Sequence, residues 1–559
     1  MAAALRGRRL RLVPVLAALA LAWPALAGLA GLGWTLVSAT TEAAGGGPGG
    51  FDRLAAEPGL GLSIWVSLWT GPAAAALSLA IVATIMAAAP QGRSLRWIAG
   101  LMAPAMAIPH AAAGFALAFL IAPSGFLIRL TGSFERPPDW LILNDPAGLS
   151  LLAGLVLKEV PFLLLMAIAI LPQANPERMM QAAIALGHRP GWAFLAAVFP
   201  GIYRRIRLPV YAVVAFSGSV VDLAIILGPG TPAPLAPRVL GWLTDPDLSR
   251  QGIGAAGALL HLLVTLASLL LWRIGEVIVA AFGRTLLSRG WRGPPDRLVR
   301  GAGLGLAGLV TVGLLGGLVV LGLWSVAGPW RFPDPLPQGL TLDRWAEQAG
   351  RLAGLGATSL WLALGSAAVS LILAILLLAR PRAARLRMLI LIPGLIVPQI
   401  AFLGGLAVLM LRLGWDGTLI SVIAVHVIFV LPYMVFALAG PWQRLDPRHE
   451  QVALALGKSP AAAFWRVRLP MLAVPLAFAF ALGCAISLSQ YLPTLLIGGG
   501  RVATLTTEAV ALASGGDRRL IGIYALAQTL LPALLLGLAL LGPAALFRNR
   551  RGLLGGGEA

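Results

Sequence analysis

The chain has a single cysteine, Cys484, and only two lysines, Lys158 and Lys458, in 559 residues. One cysteine excludes a disulfide framework and a cysteine-based zinc site; set in an apolar stretch, it reads as a packing residue. The scarcity of lysine beside 42 basic residues points to an arginine-biased genome rather than to a function. Charged residues are 11% of the chain, against about a quarter in soluble domains, while 58% are hydrophobic. An ordinary cytosolic enzyme is excluded. No Gly-x4-Gly-Lys-Ser/Thr phosphate loop occurs. The five histidines, His110, His188, His261, His426 and His449, are too scattered to form a metal constellation. Glycine (67) and proline (41) follow no period, which removes collagen. No cofactor is implied.

What is present is a series of apolar runs of membrane-spanning length. Twelve are expected: Leu12–Val37, Leu62–Ala89, Ile98–Ala122, Gly148–Leu171, Leu208–Leu227 and Ala255–Phe282, then Gly301–Ala327, Leu355–Ala379, Leu386–Leu411, Thr418–Gly440, Met471–Ile497 and Ile521–Phe547. The first has signal-peptide features, Arg6, Arg8, Arg9 and Arg11 before it and Ala-Leu-Ala at 25–27, but it exceeds a usual signal core. The expected fold is therefore an all-α polytopic membrane protein.

The net charge of +20 resolves once the loops are assigned to sides. With both termini cytoplasmic, the inner segments hold 28 basic and 5 acidic residues, and the outer ones 12 and 15. This is the positive-inside bias, so the excess of arginine describes orientation and no nucleic acid is needed as partner. The expected location is a bacterial inner membrane.

Six spans per half let a duplication place both halves in the same sense, as parallel repeats. Arg178–Pro200 aligns without gaps on Arg448–Pro470, with ten of 23 positions identical at an offset of 270. The same offset pairs Gly228 with Gly498, Asp247 with Asp517, and Gly252-Ile253 with Gly522-Ile523. Upstream, Pro104-x4-Pro109 matches Pro393-x4-Pro398. The units are therefore 1–282 and 301–559, joined by a cytoplasmic linker, 283–300, with Gly-Pro-Pro at 293–295.

The repeated loops occupy 172–207 and 441–470 on the cytoplasmic side. Asn175-Pro176 and Asp446-Pro447 read as an Asx N-cap followed by proline at the first helical position. A short helix follows, ended by Gly187 or Gly457, then Pro190 or Pro460 and a second helix carrying Phe194 or Phe464. A single copy reads equally as an amphipathic elbow resting on lipid; two matched copies favour a paired docking device.

Both loops resemble the cytoplasmic EAA loop of binding-protein-dependent ABC importer permeases, roughly Glu-Ala-Ala-x3-Gly-x9-Ile-x-Leu-Pro. The matching residues are Gln181, Ala183, Gly187 and Pro200 in one copy, and Gln451, Ala453, Gly457 and Pro470 in the other. Glutamine replaces the leading glutamate twice, although Glu450 adjoins the second copy and Glu177 lies one turn before the first. The resemblance extends over nearly the whole chain and points to two fused permease units of the iron(III)- and thiamine-type importers. It implies a translocation pore without catalytic residues, two copies of a separate cytoplasmic ATPase, and a periplasmic substrate-binding protein. Tyr-Leu-Pro-Thr at 491–494 is similar to thiamine-like members, which makes a small cation the expected substrate.

Charges within spans are costly and mark functional candidates. Lys158 and Glu159 are adjacent, point to different helix faces and need separate partners, whereas Arg273 and Glu276 have the i,i+3 spacing of a simple pair. His110 follows the Pro104–Pro109 break where the second half has Gln399. Asp222 stands near the outer end of the fifth span, and Ser487, Ser489, Gln490 and Tyr491 form a polar cluster in the eleventh. His110, Lys158, Glu159, Asp222, Gln399, Ser489 and Gln490 are the candidate substrate path; the alternatives are hydrogen-bonded packing for His110, pairing with a neighbouring charge for Lys158 and Glu159, a solvent-facing position for Asp222, and interhelical packing for the polar cluster. At the level of function, the alternative is an ion-coupled secondary transporter with two parallel six-helix halves, for which only Glu159 and Glu276 offer intramembrane carboxylates.

Overall fold

A computed structural model describes residues 22–40, 49–90, 93–379, 391 and 394–546. The basic amino terminus, the start of the first span, residues 380–390 with the start of the ninth span, Pro393 and the carboxyl-terminal tail lie outside the described residues. Among the described residues there is no strand beyond one bridge between Ala327 and Leu340. The architecture is all-α.

The first half contains α1 (Ala22–Thr40), α2 (Leu60–Ala88), α3 (His110–Ile121), α4 (Leu149–Ile170), α5 (Pro176–Ala185), α6 (Phe199–Ser219), α7 (Asp222–Leu227) and α8 (Gln251–Ser288). The second contains α9 (Asp296–Ser325), α10 (Asp343–Leu378), α11 (Gln399–Arg412), α12 (Leu419–Arg444), α13 (Arg448–Ala455), α14 (Ala473–Leu488), α15 (Leu492–Gly498) and α16 (Arg518–Leu546). From α5 onward the order in one half repeats in the other. Even the short helix Leu235–Leu243 has its counterpart in Leu505–Ala511.

Nine described helices are long and apolar enough to cross a membrane, ten if the pair Pro460–Met471 and Ala473–Leu488, bent by 72°, counts as one span. Of the other two expected spans, the fifth corresponds to α6, which carries Arg204, Arg205 and Arg207 near its start. The ninth, Leu386–Leu411, lies partly outside the described residues; its described part includes the apolar helix α11. Bilayer-facing side chains such as Leu309, Val312, Val319 and Leu541 are exposed, whereas Ser78, Ser366 and Ser370 are buried. This is the arrangement expected where lipid, rather than water, surrounds the helices.

The expected spans five and eleven are broken rather than continuous. α6 ends at Ser219 and α7 starts at Asp222; α14 ends at Leu488 and α15 starts at Leu492. Ser219 and Ser489, again 270 apart, bond back to the carbonyls of Ala215 (2.7 Å) and Ala485 (2.9 Å). A serine that competes for helical carbonyls bends and weakens the helix end. The polar residues at these positions are thus the physical reason that apolar length misled the reading.

The first helix of each half packs on the other half. The Trp23 indole donates to the carbonyl of Ala424 at 2.8 Å. Gly31 and Gly405 meet so closely that a Cβ on Gly405 would lie 2.2 Å from the Gly31 carbonyl oxygen. Small residues permit this backbone approach in a bilayer. Reciprocally, α9 packs against α2 and α3. The linker is mostly helical: α8 runs to Ser288 and α9 begins at Asp296, so only seven residues, 289–295, turn between them.

Candidate functional site

The two repeated loops have the same construction. In the first, α5 ends in a turn where Gly187 N–H bonds to Ile184 (2.8 Å) and His188 N–H to Ala183 (3.1 Å). In the second, Gly457 and Lys458 repeat these bonds to Leu454 and Ala453 at 2.9 and 3.0 Å. Gly187 (φ +84°) and Gly457 (φ +76°) are left-handed, as this type of helix stop requires. A one-turn helix follows, Pro190–Ala193 or Pro460–Ala463, then a π turn, Phe194–Val198 or Phe464–Arg468. Pro200 and Pro470 each take the second position of the helix after that turn. The paired π turns had no clear mark in the sequence; the five-residue bonding pattern depends on backbone geometry that composition does not specify.

The expected N-caps need correction. Asn175 is left-handed (φ +46°) and its side chain makes no capping bond, because that conformation turns it from the first-turn N–H groups. In the second loop Pro447 takes the cap position, and the Asp446 carboxylate accepts from Arg448 N–H at 2.9 Å.

Gln181 and Gln451 are exposed, whereas Ala183 and Ala453 face inward. Leu186 and Leu456 are 69% and 74% exposed, and Ile184 and Leu454 are exposed beside them. Each loop therefore presents a small apolar edge. A cavity of about 610 Å3 adjoins the first loop, with Glu177, Gln181 and Arg300 in its lining.

A second polar centre lies among the spans, where broken helices from both halves meet. Lys158 Nζ donates to the carbonyls of Ala105 (3.0 Å) and Ile108 (2.5 Å), satisfying backbone released at the Pro104–Pro109 break. Glu159, one residue on, lies 3.9 Å from His110 Nε2. The His110 ring contacts Phe216 at 4.8 Å between centroids. Asp222 opens α7 and is buried, with His110 and the Ala111 backbone among its neighbours. From the second half, Gln399 and Gln490 approach to 3.4 Å. Tyr433 lies within electrostatic range of Glu159, and Tyr491 of Asp222. Tyr433 escaped the sequence reading, although a tyrosine beside Pro432 in an apolar span is a usable signal.

The remaining polar candidates pack. His426 bonds Ser487 (2.8 Å) and Thr494 (3.0 Å), and Ser487 also bonds Ser366 (2.8 Å). Ser487 thus belongs to a network tying α10, α12, α14 and α15 together. Ser489 bonds only within its own helix among the contacts seen. The Arg273–Glu276 pair expands into a larger cluster. Glu276 also accepts from Arg207 through both oxygens (2.6 and 2.9 Å), from Tyr211 (3.1 Å) and from Tyr203.

No family model matches the chain. It is 32% identical over 500 residues to the inner membrane ABC transporter permease protein YnjC of Escherichia coli, a match covering 88% of this chain and 90% of that protein. It is 29% identical over 430 residues to the thiamine transport system permease protein ThiP of the same bacterium, covering 72% and 74%. A shorter match, 33% over 174 residues, is to the molybdenum transport system permease protein ModB of Mycobacterium tuberculosis, covering 27% and 65%. These similarities displace the secondary-transporter alternative and identify a multi-pass inner-membrane protein. The chain belongs to the ABC transporter permeases, with two permease units fused in one polypeptide.

Proposed function

We propose that the chain is the translocation path of an importer for a thiamine-like organic cation. A periplasmic protein delivers the solute, and two copies of a separate ATPase dock beneath the 172–207 and 441–470 loops. The observation that carries the docking is the matched pair of exposed apolar edges at Leu186 and Leu456. Contiguous exposed apolar side chains on a polar loop call for a partner. ATP-driven closure of the ATPase pair would draw the loops together and turn the pore outward, each state being favoured by a ligand that prefers it. Both termini are cytoplasmic in this arrangement, as the charge asymmetry requires.

The cation preference rests on the polar centre among the spans. Glu159 and Asp222 are two carboxylates beside one ammonium, and Lys158 is committed to carbonyls. Tyr433 and Tyr491 add aromatic faces, which attract organic cations. The resemblance to ThiP points the same way. The test is uptake of labelled thiamine by proteoliposomes holding the permease, its ATPase and its binding protein. Saturable, ATP-dependent uptake is expected, lowered by Glu159→Gln or Asp222→Asn. ATP-dependent uptake of an oxyanion with none of thiamine would overturn the substrate and leave the permease. Cysteine placed at Pro137 should label from outside; labelling of the 172–207 loop from outside would overturn the orientation.

A further inference from the structure

The two repeated loops are fastened by different means. In the second, Glu450 on α13 accepts from the Arg468 guanidinium at 3.2 and 3.3 Å, and Arg468 lies 4.5 Å over Trp442. This ties the first helix of the loop to its π turn. The first loop has no such option, because the offset of 270 places Met180 and Val198 at these positions.

Its fastening comes from the segment that joins the halves. Arg189 N–H donates to the Arg292 carbonyl at 3.2 Å, and the Arg189 guanidinium to the Gly293 carbonyl at 3.2 Å. Gly191 N–H donates to the Asp296 carboxylate at 2.9 Å. The Arg292 guanidinium reaches back to the Leu186 carbonyl, at the end of α5. Trp291 meets Trp192 edge to face at 4.5 Å. Gly293 (φ +92°) passes so near Trp192 that a Cβ there would lie 2.2 Å from the tryptophan Cβ.

We propose that residues 289–296 are a positioning element of the first coupling loop, doing for it what the Glu450–Arg468 pair does for the second. The proposal rests on the reading of the loops as ATPase docks. The segment grips both sides of the Gly187 turn: Leu186 before it, and Arg189, Gly191 and Trp192 after it. Movement of the ATPase at the first loop is therefore transmitted into α9 as well as into α6. Since α9 packs against α2, α3 and α16, the connection between halves becomes a mechanical part of the transporter, and only one of the two loops has it.

The test uses the full-length permease in complex with its ATPase. Gln181→Cys reports on the first loop and Gln451→Cys on the second; both positions are exposed, and the native Cys484 is buried. Each cysteine is cross-linked to the ATPase with a maleimide–benzophenone reagent. Asp296→Ala and Arg292→Ala should lower the yield from position 181 about threefold or more, the scale set by losing a hydrogen bond, with position 451 unchanged. Asp296→Asn keeps an acceptor oxygen and should restore most of the yield. Glu450→Gln should reverse the pattern. The signal at 451 shows that the Asp296 and Arg292 variants are folded, and the signal at 181 shows the same for Glu450→Gln. Equal loss at both positions, or no loss at 181, would overturn the proposal. If the reporter cysteines, with no other substitution, cross-link to the ATPase at neither position, the docking reading itself is overturned, and the proposal with it.

Discussion

At the scale of single residues, the two loop glycines separate backbone from contact effects. Both are left-handed, and a β-branched residue there costs about 1–2 kcal/mol. Around Gly457 the space for a Cβ is open, whereas at Gly187 it would meet the Arg292 guanidinium at 3.2 Å. Gly457→Val therefore carries the backbone cost alone, and Gly187→Val adds displacement of the linker arginine. Both variants should insert normally, lose transport and bind the ATPase more weakly, with Gly187→Val the more severe. Gly457→Asn, which tolerates the left-handed region, should retain most of the activity. Co-purification of the ATPase and substrate uptake are the measurements. Normal uptake by the double Val variant would reduce the loops to elbows on the membrane surface.

At the scale of elements, legibility followed the physical source of each signal. The spans were readable because lipid demands long apolar runs. The loops were readable because glycine and proline mark turns at fixed positions, and the offset of 270 preserved them. The break before α3 was visible in Pro104 and Pro109. The breaks at Ser219 and Ser489 were not, since a serine in an apolar helix is as often a packing residue. The roles of Lys158 and Glu159 needed coordinates, because which carbonyl a lysine reaches depends on where another helix is broken. Lys158 is the element-scale case to test. Removing its ammonium takes the lysine donor from the Ile108 carbonyl and leaves the Ala105 carbonyl only the Ile108 N–H at 3.2 Å, a loss of about 1–3 kcal/mol. Lys158→Met should lower the thermal stability of the purified permease, while Lys158→Arg, which keeps donors, should lower it less. A Lys158→Met variant as stable as the parent would show that the break is satisfied by other means.

At the scale of the whole molecule, the exchange of first helices makes the sequence repeat and the packing unit different things. The repeat divides the chain at the 283–300 linker, yet α1 rests on α11 and α12, and α9 rests on α2 and α3. In water, an isolated half would expose a large apolar face and aggregate. In a bilayer, lipid solvates that face, so the loss on separation is close packing and hydrogen bonding rather than hydrophobic burial. What is lost is specific: the Gly31–Gly405 contact, the Trp23–Ala424 bond, and the approach of Gly303 and Gly317 to Ala88 and Ala116. Residues 1–282 and 301–559 expressed separately should each insert, yet be degraded faster than the fused chain. Expressed together, they should find each other and co-purify, because the exchanged helices, and not the peptide between them, hold the halves. Pulse-chase turnover and co-purification from membranes are the measurements. If either half alone is as long-lived as the full chain, the exchanged helices contribute little to stability. If the halves fail to associate when co-expressed, assembly depends on the covalent connection.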